Sequence, residues 1–260
     1  MKFFITWILS IGLCFAAIAQ PPRLTGKEKM VSCILGEKKV LIRIIRFGTN
    51  SHTVLINLHH NENTSLQAAR RVLERRGGLL INIENDNERF ISFRQNGRIF
   101  RFDPNRIFTD VGIKQDLEKQ NDRSTLSAVK TIKRFARFIR LKIPSSATTI
   151  IALHNNDDGN LSVASYLPGK EYGREAALVH RGAGHDPDNF FFTTDARLYR
   201  SLSREGYNVV LQHNGQATDD GSLSVYYGRK KKSYVNVEAE TGQLEKQVEM
   251  LDVLISLIGK

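Results

Sequence analysis

The sequence has 260 residues, of which 41% are hydrophobic, and its 38 lysines and arginines against 27 aspartates and glutamates give a net charge of +11. No segment beyond the N-terminus approaches the roughly 20 consecutive apolar residues that a membrane-spanning helix needs. The positive charge is compatible with nucleic acids, anionic envelope polymers or acidic small substrates as partners, and it selects none of them.

The first 19 residues predict a secretory signal peptide. They contain one lysine, an apolar core and the small-residue pattern Ala17-Ile18-Ala19, which indicates cleavage after Ala19. We therefore expect a secreted or periplasmic protein with one domain, residues 20–260, and no stable membrane insertion after processing. Cys33 would be the one cysteine left, which excludes an internal disulfide and makes the fold depend on its core. The sequence leaves the oligomeric state open.

Strand and helix patterns alternate along the rest of the chain. Helical patterns cover residues 64–76, 124–141 and 243–259. Apolar runs predict strands at 39–48, 53–58, 79–84, 148–153, 208–212 and 233–240. This alternation predicts an α/β fold with a mixed, largely parallel sheet flanked by helices on both faces. In such sheets ligands collect beyond the carboxyl ends of the strands.

Lysines and arginines are concentrated in residues 129–142. The apolar residues of this stretch recur at helical spacing, so its cations occupy the opposite face, which is typical of a solvated helix. No aromatic residues are arranged between the cations for base stacking. We therefore do not expect nucleic acid as a partner.

Three of the predicted strands end in histidine. The strand at 53–58 is followed by His59-His60-Asn61-Glu62, the strand at 148–153 by His154, and the strand at 208–212 by His213. Two imidazoles and one carboxylate can hold zinc and leave a position open for water. For any one of these histidines alone, a structural role is the more common explanation.

The segment "FDPNRIF", residues 102–108, adds a second signal. With it, the sequence resembles the zinc carboxypeptidase superfamily, and in size it is nearest to the succinylglutamate desuccinylase and aspartoacylase branch. That superfamily has a His-x-x-Glu pair, an Asp-x-Asn-Arg segment, a later lone histidine and a glutamate on a strand near the C-terminus. The corresponding elements are His59 with Glu62, residues 103–106, His154 and Glu238, so the resemblance spans roughly residues 53–242.

The resemblance implies a metal site and a general base. His59, Glu62 and His154 would bind one zinc ion per chain, and Glu238 would take a proton from water and return it to the leaving nitrogen. Glu240, two residues further along the same strand, is the second choice for the base.

The resemblance also implies a site for the substrate carboxylate. Asn105 and Arg106 would hold it, since the planar guanidinium group can bind a carboxylate through two hydrogen bonds. Either Arg89 or Arg98 is a candidate for a second arginine in the site. Tyr227 is a candidate for a substrate-contacting tyrosine on a loop.

These expectations describe an exported zinc-dependent hydrolase that cleaves an amide or peptide bond near a free carboxylate. Export and positive charge favour cell-envelope peptides as its substrates. The same site would suit an N-acyl amino acid deacylase of the desuccinylase and aspartoacylase type. A third alternative is a non-catalytic binding protein that retains the fold.

Overall fold

The computed structural model describes residues 22–259, so the expected signal peptide and its cleavage site lie outside the described residues. Within that range, no helix combines the length and the apolar character needed to cross a bilayer.

Eleven strands form the described sheets. A nine-stranded sheet has the order β1-β2-β4-β3-β7-β11-β9-β10-β8, and β5 and β6 form a separate antiparallel hairpin. The strands are β1 (Gly26–Leu35), β2 (Lys38–Phe47), β3 (Thr53–Asn57), β4 (Gly78–Glu84), β5 (Ile91–Gln95), β6 (Arg98–Phe102), β7 (Thr149–Asn156), β8 (Ala176–His180), β9 (Phe190–Thr193), β10 (Val209–Gln212) and β11 (Ser233–Glu240).

Six described α-helices cover the two faces of the large sheet. They are α1 (Asn63–Arg76), α2 (Asp110–Asn121), α3 (Leu126–Arg140), α4 (Ala196–Arg204), α5 (Leu223–Arg229) and α6 (Leu244–Ile258). Helices α1, α4 and α6 pack on one face around residues such as Leu73 and Leu251. Helices α2, α3 and α5 and the β5–β6 hairpin cover the other face, around Phe102 and Phe135. The predicted fold class, a mixed sheet between two layers of helices, is therefore confirmed.

The centre of the sheet explains where polar side chains gather. Strands β4, β3, β7 and β11 are consecutive in the sheet and run parallel. Every residue of β3 is buried, which matches a strand covered on both faces. Because these four strands run the same way, their carboxyl ends meet at one edge, where His59, His154 and Glu238 lie.

The structure corrects several predicted boundaries. The predicted helix over 124–141 begins at Leu126, with Thr125 as its N-cap, and a separate helix, α2, precedes it. Helix α1 begins at Asn63, one residue before the predicted start at residue 64, and Glu62 occupies the N-cap position. Strand β9 is absent from the strands that the sequence patterns predict, and its four residues are all buried.

Candidate active site

Three side chains that the sequence places at strand ends converge below the surface. His59 follows β3, Glu62 stands at the N-cap of α1, and His154 lies within β7. One potential ligand atom from each lies within 4.8 Å of the others. All three side chains are buried, and the two imidazole ring centroids are 5.1 Å apart.

Local chain geometry accounts for this convergence. A two-residue turn, His60-Asn61, separates His59 from Glu62, and the Glu62 amide donates a hydrogen bond to the His59 carbonyl. The turn aims both side chains at one point, and Nδ1 of His59 lies 2.9 Å from Oε1 of Glu62. His154 reaches the same carboxylate from the neighbouring parallel strand, with its Nδ1 3.1 Å from Oε2.

Asp103 fixes the orientation of the first histidine. Its Oδ1 lies 2.8 Å from Nε2 of His59 and also accepts a hydrogen bond from the Asn105 amide. With Nε2 facing this carboxylate, the other ring nitrogen, Nδ1, faces Glu62 and His154. Asp103 opens the Asp-x-Asn-Arg segment, so the motif contained this residue although no role had been assigned to it.

Charge dominates this cluster. Although burial disfavours the imidazolium form, the carboxylates of Glu62 and Asp103 raise the pKa of His59 to about 9. Burial raises the pKa of Glu62, but His154 and His59 outweigh it and lower the value to about 2. Burial likewise opposes ionisation of Asp103, whose pKa is nevertheless held below its usual range by His59. The carboxylates are therefore ionised at neutral pH, and the protonated His59 is a cation that balances them as long as no metal is bound. A metal ion would replace that proton, since a histidine ligand must be neutral.

The donor set fits a divalent metal ion. Oε2 of Glu62 is buried and has no hydrogen-bond partner among the described residues: His154 Nδ1 lies 3.1 Å away but has hydrogen-bond geometry only toward Oε1, at 3.4 Å. An unsatisfied carboxylate oxygen beside two imidazole nitrogens costs free energy unless a cation binds there. Zinc takes nitrogen and carboxylate oxygen ligands at about 2 Å, a distance that brings ligand atoms as close together as these lie. His59, Glu62 and His154 could thus hold a metal.

Glu238 lies beside this cluster on β11. It is the register partner of His154 on the adjacent parallel strand, so both side chains leave the same face of the sheet. Burial raises its pKa above the ordinary value, and Asn236 donates a hydrogen bond of 2.8 Å to its Oε1. Glu240 lies instead with Asp158 and Asp188, outside the residues that line the cleft. This placement favours Glu238 over Glu240 as the group that faces a bound substrate.

Arg106 lies on the wall of the same cleft. Its Nη1 pairs with Asp220, a residue of the loop before α5. Hydrogen bonds from its other guanidinium nitrogens to described residues are not found, so part of the group faces the cleft. The Asn105 side chain accepts a hydrogen bond from the Leu223 amide, which joins the Asp-x-Asn-Arg segment to the start of α5.

Other predicted substrate residues lie in different surroundings. Arg89 lines the cleft but forms ion pairs with Glu62 at 2.9 Å and Asp103 at 3.8 Å. Arg98 is exposed on the β5–β6 hairpin. Tyr227 was expected on a loop, but it lies in α5, is 7% exposed and stacks on Tyr234 in the core. It is not among the residues lining the cleft.

Sequence reasoning missed much of the cleft wall. The cleft has a volume of about 780 Å³ and extends from His154 and Glu238 to the segment before β8. That segment contributes Tyr166, Glu171, Tyr172 and Glu175. Their only sequence signal was a polar, aromatic-containing stretch without a regular period.

Comparison with known proteins identifies similar folds. No protein-family model matches the chain, and no curated protein matches it significantly. Among solved structures, an aspartoacylase family protein from Mesorhizobium loti is 15% identical, with 95% of this chain and 70% of that chain covered and a TM-score of 0.44. A succinylglutamate desuccinylase/aspartoacylase from Rhodobacter sphaeroides is 14% identical, with 94% and 67% covered and a TM-score of 0.43.

A candidate metallopeptidase from Shewanella denitrificans is also similar. It is 14% identical, with 88% of this chain and 82% of that chain covered and a TM-score of 0.42. The Mesorhizobium loti and Rhodobacter sphaeroides proteins are described as members of the branch that the sequence motifs resemble. At such low identities and TM-scores, it is the side-chain arrangement of this chain, and not the neighbours, that supports a function.

Proposed function

We propose that this protein is a zinc-dependent hydrolase that cleaves an amide or peptide bond near a free carboxylate. The observation that carries the proposal is the convergence of His59, Glu62 and His154 within 4.8 Å, beneath a cleft and beside a buried glutamate on the next strand. A buried cluster with an unsatisfied carboxylate oxygen has a physical explanation if a cation occupies it.

A bound divalent ion supplies Lewis acidity, which makes water a stronger acid and polarises the scissile carbonyl. The remaining chemistry belongs to the side chains of the chain. Glu238 takes a proton from the attacking water and returns it to the leaving nitrogen. Burial raises the pKa of this carboxyl, which makes Glu238 a stronger base than an exposed glutamate. The Asn236 amide holds the carboxylate in place through its hydrogen bond to Oε1.

Arg106 orients the substrate. The edge of its guanidinium group that faces the cleft can donate two parallel hydrogen bonds to the substrate carboxylate, while Nη1 remains paired with Asp220. The side-chain nitrogen of Asn105 is available to donate to the same substrate carboxylate, because its side-chain oxygen already accepts a hydrogen bond from the Leu223 amide. The scissile bond would then lie one residue away from this carboxylate, above Glu238.

The proposal includes location and substrate class. A cleaved signal peptide would place the enzyme in the periplasm or outside the cell, where peptides of the cell envelope are available. An amide or peptide with a terminal carboxylate fits Arg106, and a cleft of about 780 Å³ is large enough for a short peptide.

Metal content tests the proposal first. We expect about one zinc per chain in the purified protein, and loss of zinc in a His59→Ala/His154→Ala double variant. His52→Ala, which removes an exposed histidine bonded to the Ser146 carbonyl, serves as control and should keep the metal. Absence of metal from the wild type, even after zinc is supplied, would overturn the proposal.

Glu238→Gln separates catalysis from metal binding. The amide has nearly the same size but cannot accept a proton, so we expect zinc to be retained and the turnover of acyl peptides to fall roughly 10²–10⁴-fold. Unchanged turnover would exclude Glu238 as the base. A wild type that binds zinc but hydrolyses neither peptides nor N-acyl amino acids would point to a binding protein.

A further inference from the structure

The cleft has a charge opposite to that of the whole chain. The chain carries a net charge of +11. Six carboxylates and three cations line the cleft. The carboxylates belong to Asp103, Asp116, Glu171, Glu175, Asp220 and Glu238, and the cations to Arg89, Arg106 and Lys119. This local excess of negative charge therefore arises from the choice of residues at the cleft and not from overall composition.

Two of the three cations are already neutralised. Arg89 pairs with Glu62 and Asp103, and Arg106 pairs with Asp220. Lys119 lies on α2 and contributes the third positive charge. Four lining carboxylates remain without an arginine partner, and two of them, Glu171 and Glu175, lie in the segment before β8.

Glu171 and Glu175 form that part of the wall. The Glu175 carboxylate is held in place by Thr218, whose amide and hydroxyl donate to its two oxygens at 2.8 and 2.7 Å. Neither bond brings a positive charge to this carboxylate. Glu171 is exposed and forms no ion pair with a described residue. Both carboxylates therefore remain available to a cation that enters the cleft.

Aromatic rings complete this wall. Tyr166 and Tyr172 lie with ring centroids 5.5 Å apart and both line the cleft. Aromatic faces beside carboxylates attract an ammonium group, because the ring quadrupole and the negative charges act in the same direction.

One acceptor beside Glu238 has no hydrogen-bond donor among the described residues. Asn236 donates to Glu238 through Nδ2, which turns its Oδ1 away from that carboxylate. This oxygen is buried and has no partner among the described residues. An unpartnered acceptor beside the Glu238 carboxylate makes this end of the cleft more favourable for a hydrogen-bond donor than for another carboxylate.

We propose that the substrate carries an ammonium group on the residue whose carboxylate binds Arg106. The released product would be an amino acid with a second, side-chain amine directed toward Glu171 and Glu175. This inference rests on the proposed hydrolase function and narrows it to basic or diamino acid substrates. It also disfavours N-acyl derivatives of dicarboxylic amino acids, whose second carboxylate would meet the acidic wall.

Paired substrates test the inference. N-acyl dipeptides that end in lysine, norleucine or glutamate differ only in the terminal side chain. With the zinc-loaded full chain, we expect kcat/KM to be about 10-fold higher for lysine than for norleucine, and lowest for glutamate. In a Glu171→Gln/Glu175→Gln variant the lysine-to-norleucine ratio should fall toward 1. A Glu37→Gln/Glu205→Gln variant, which removes two exposed carboxylates outside the cleft, should keep the wild-type ratio.

Binding distinguishes failure of this inference from failure of the hydrolase proposal. The same three dipeptides are titrated into zinc-loaded Glu238→Gln protein by calorimetry. A preference for lysine without turnover in the wild type would support the ammonium site and overturn the hydrolase function. Equal affinity for lysine and norleucine, tighter binding of glutamate, or no measurable binding of any dipeptide would overturn the inference.

Discussion

The contact between α2 and the loop before α5 offers a direct test of how the cleft is built. A β-carbon added at Gly112 would lie 2.1 Å from Cα and 2.5 Å from N of Gly221, and 2.9 Å from the carbonyl oxygen of Arg106. All three atoms belong to the backbone, so no side-chain rotation can relieve the overlap. Gly112→Ala must therefore displace either α2 or the loop that carries Asp220.

The expected cost follows from two opposing effects. Alanine is favoured over glycine within a helix by about 1 kcal/mol. An overlap of this size in a packed region typically costs about 1–3 kcal/mol, and it is more severe here because an ordinary contact is more than 1 Å longer than the 2.1 Å found. We expect the steric overlap to outweigh the helix preference of alanine. The free energy of unfolding should fall by about 2 kcal/mol, which lowers Tm by about 5 °C in a domain of this size.

Thermal and urea unfolding measure this change. Val111→Ala is the matched control, because Val111 is the preceding residue of the same helix and is 49% exposed. Its stability should stay within about 0.5 kcal/mol of the wild type. A Gly112→Ala protein with a Tm equal to or above that of the wild type would refute the close approach of α2 and Gly221.

Three further outcomes can be measured on the same protein. Burial raises the pKa of Asp219, but Thr109 and Arg229 outweigh burial and lower the pKa below the ordinary value. The ionised Asp219 side chain therefore stabilises the fold fully above about pH 4, and this stabilisation is lost as the pH falls further. The difference in unfolding free energy between wild type and Asp219→Asn should therefore shrink from pH 7 to pH 3, and a constant difference would contradict the ion pair. Phe135→Ala should cost about 3–5 kcal/mol because the side chain is fully buried, whereas Leu126→Ala, at a side chain 70% exposed, should cost far less in the same denaturation assay. Zinc at 100 times its dissociation constant should raise the unfolding free energy by about 2.7 kcal/mol, and an unchanged Tm on zinc addition would show that the folded state does not bind it preferentially.

The sheet and the histidine–glutamate cluster were accessible from the sequence for one physical reason. Parallel strands buried on both faces leave continuous apolar runs, and β3 and β7 are runs of this kind. Residues that directly follow such runs must lie at the same edge of the sheet. His59, Glu62 and His154 satisfy this rule, and the family resemblance selected them as one set. His213 does not, because it follows β10, which runs antiparallel to β11 and so ends at the opposite edge.

Helices and short strands with weak patterns were harder to predict. Helix α2 contains Gly112 and few apolar residues, and only Gly112, Ile113, Asp116 and Leu117 are buried in it. Strand β9 has four residues and is separated by one residue from the loop-like sequence His185-Asp186-Pro187-Asp188. In both elements tertiary packing, and not local sequence preference, determines the structure.

The acidic wall of the cleft could not be predicted because it depends on contacts between distant loops. Glu175 is held by Thr218, 43 residues later, and Arg106 pairs with Asp220, 114 residues later. Each of these residues, taken alone, resembles an ordinary surface residue. Their common position follows from the close approach of Gly112 to Gly221, which brings the loop carrying Asp220 against the Asp-x-Asn-Arg segment. A displacement of that loop in Gly112→Ala should for this reason change substrate selectivity as well as stability, since the partner of Arg106 moves with it.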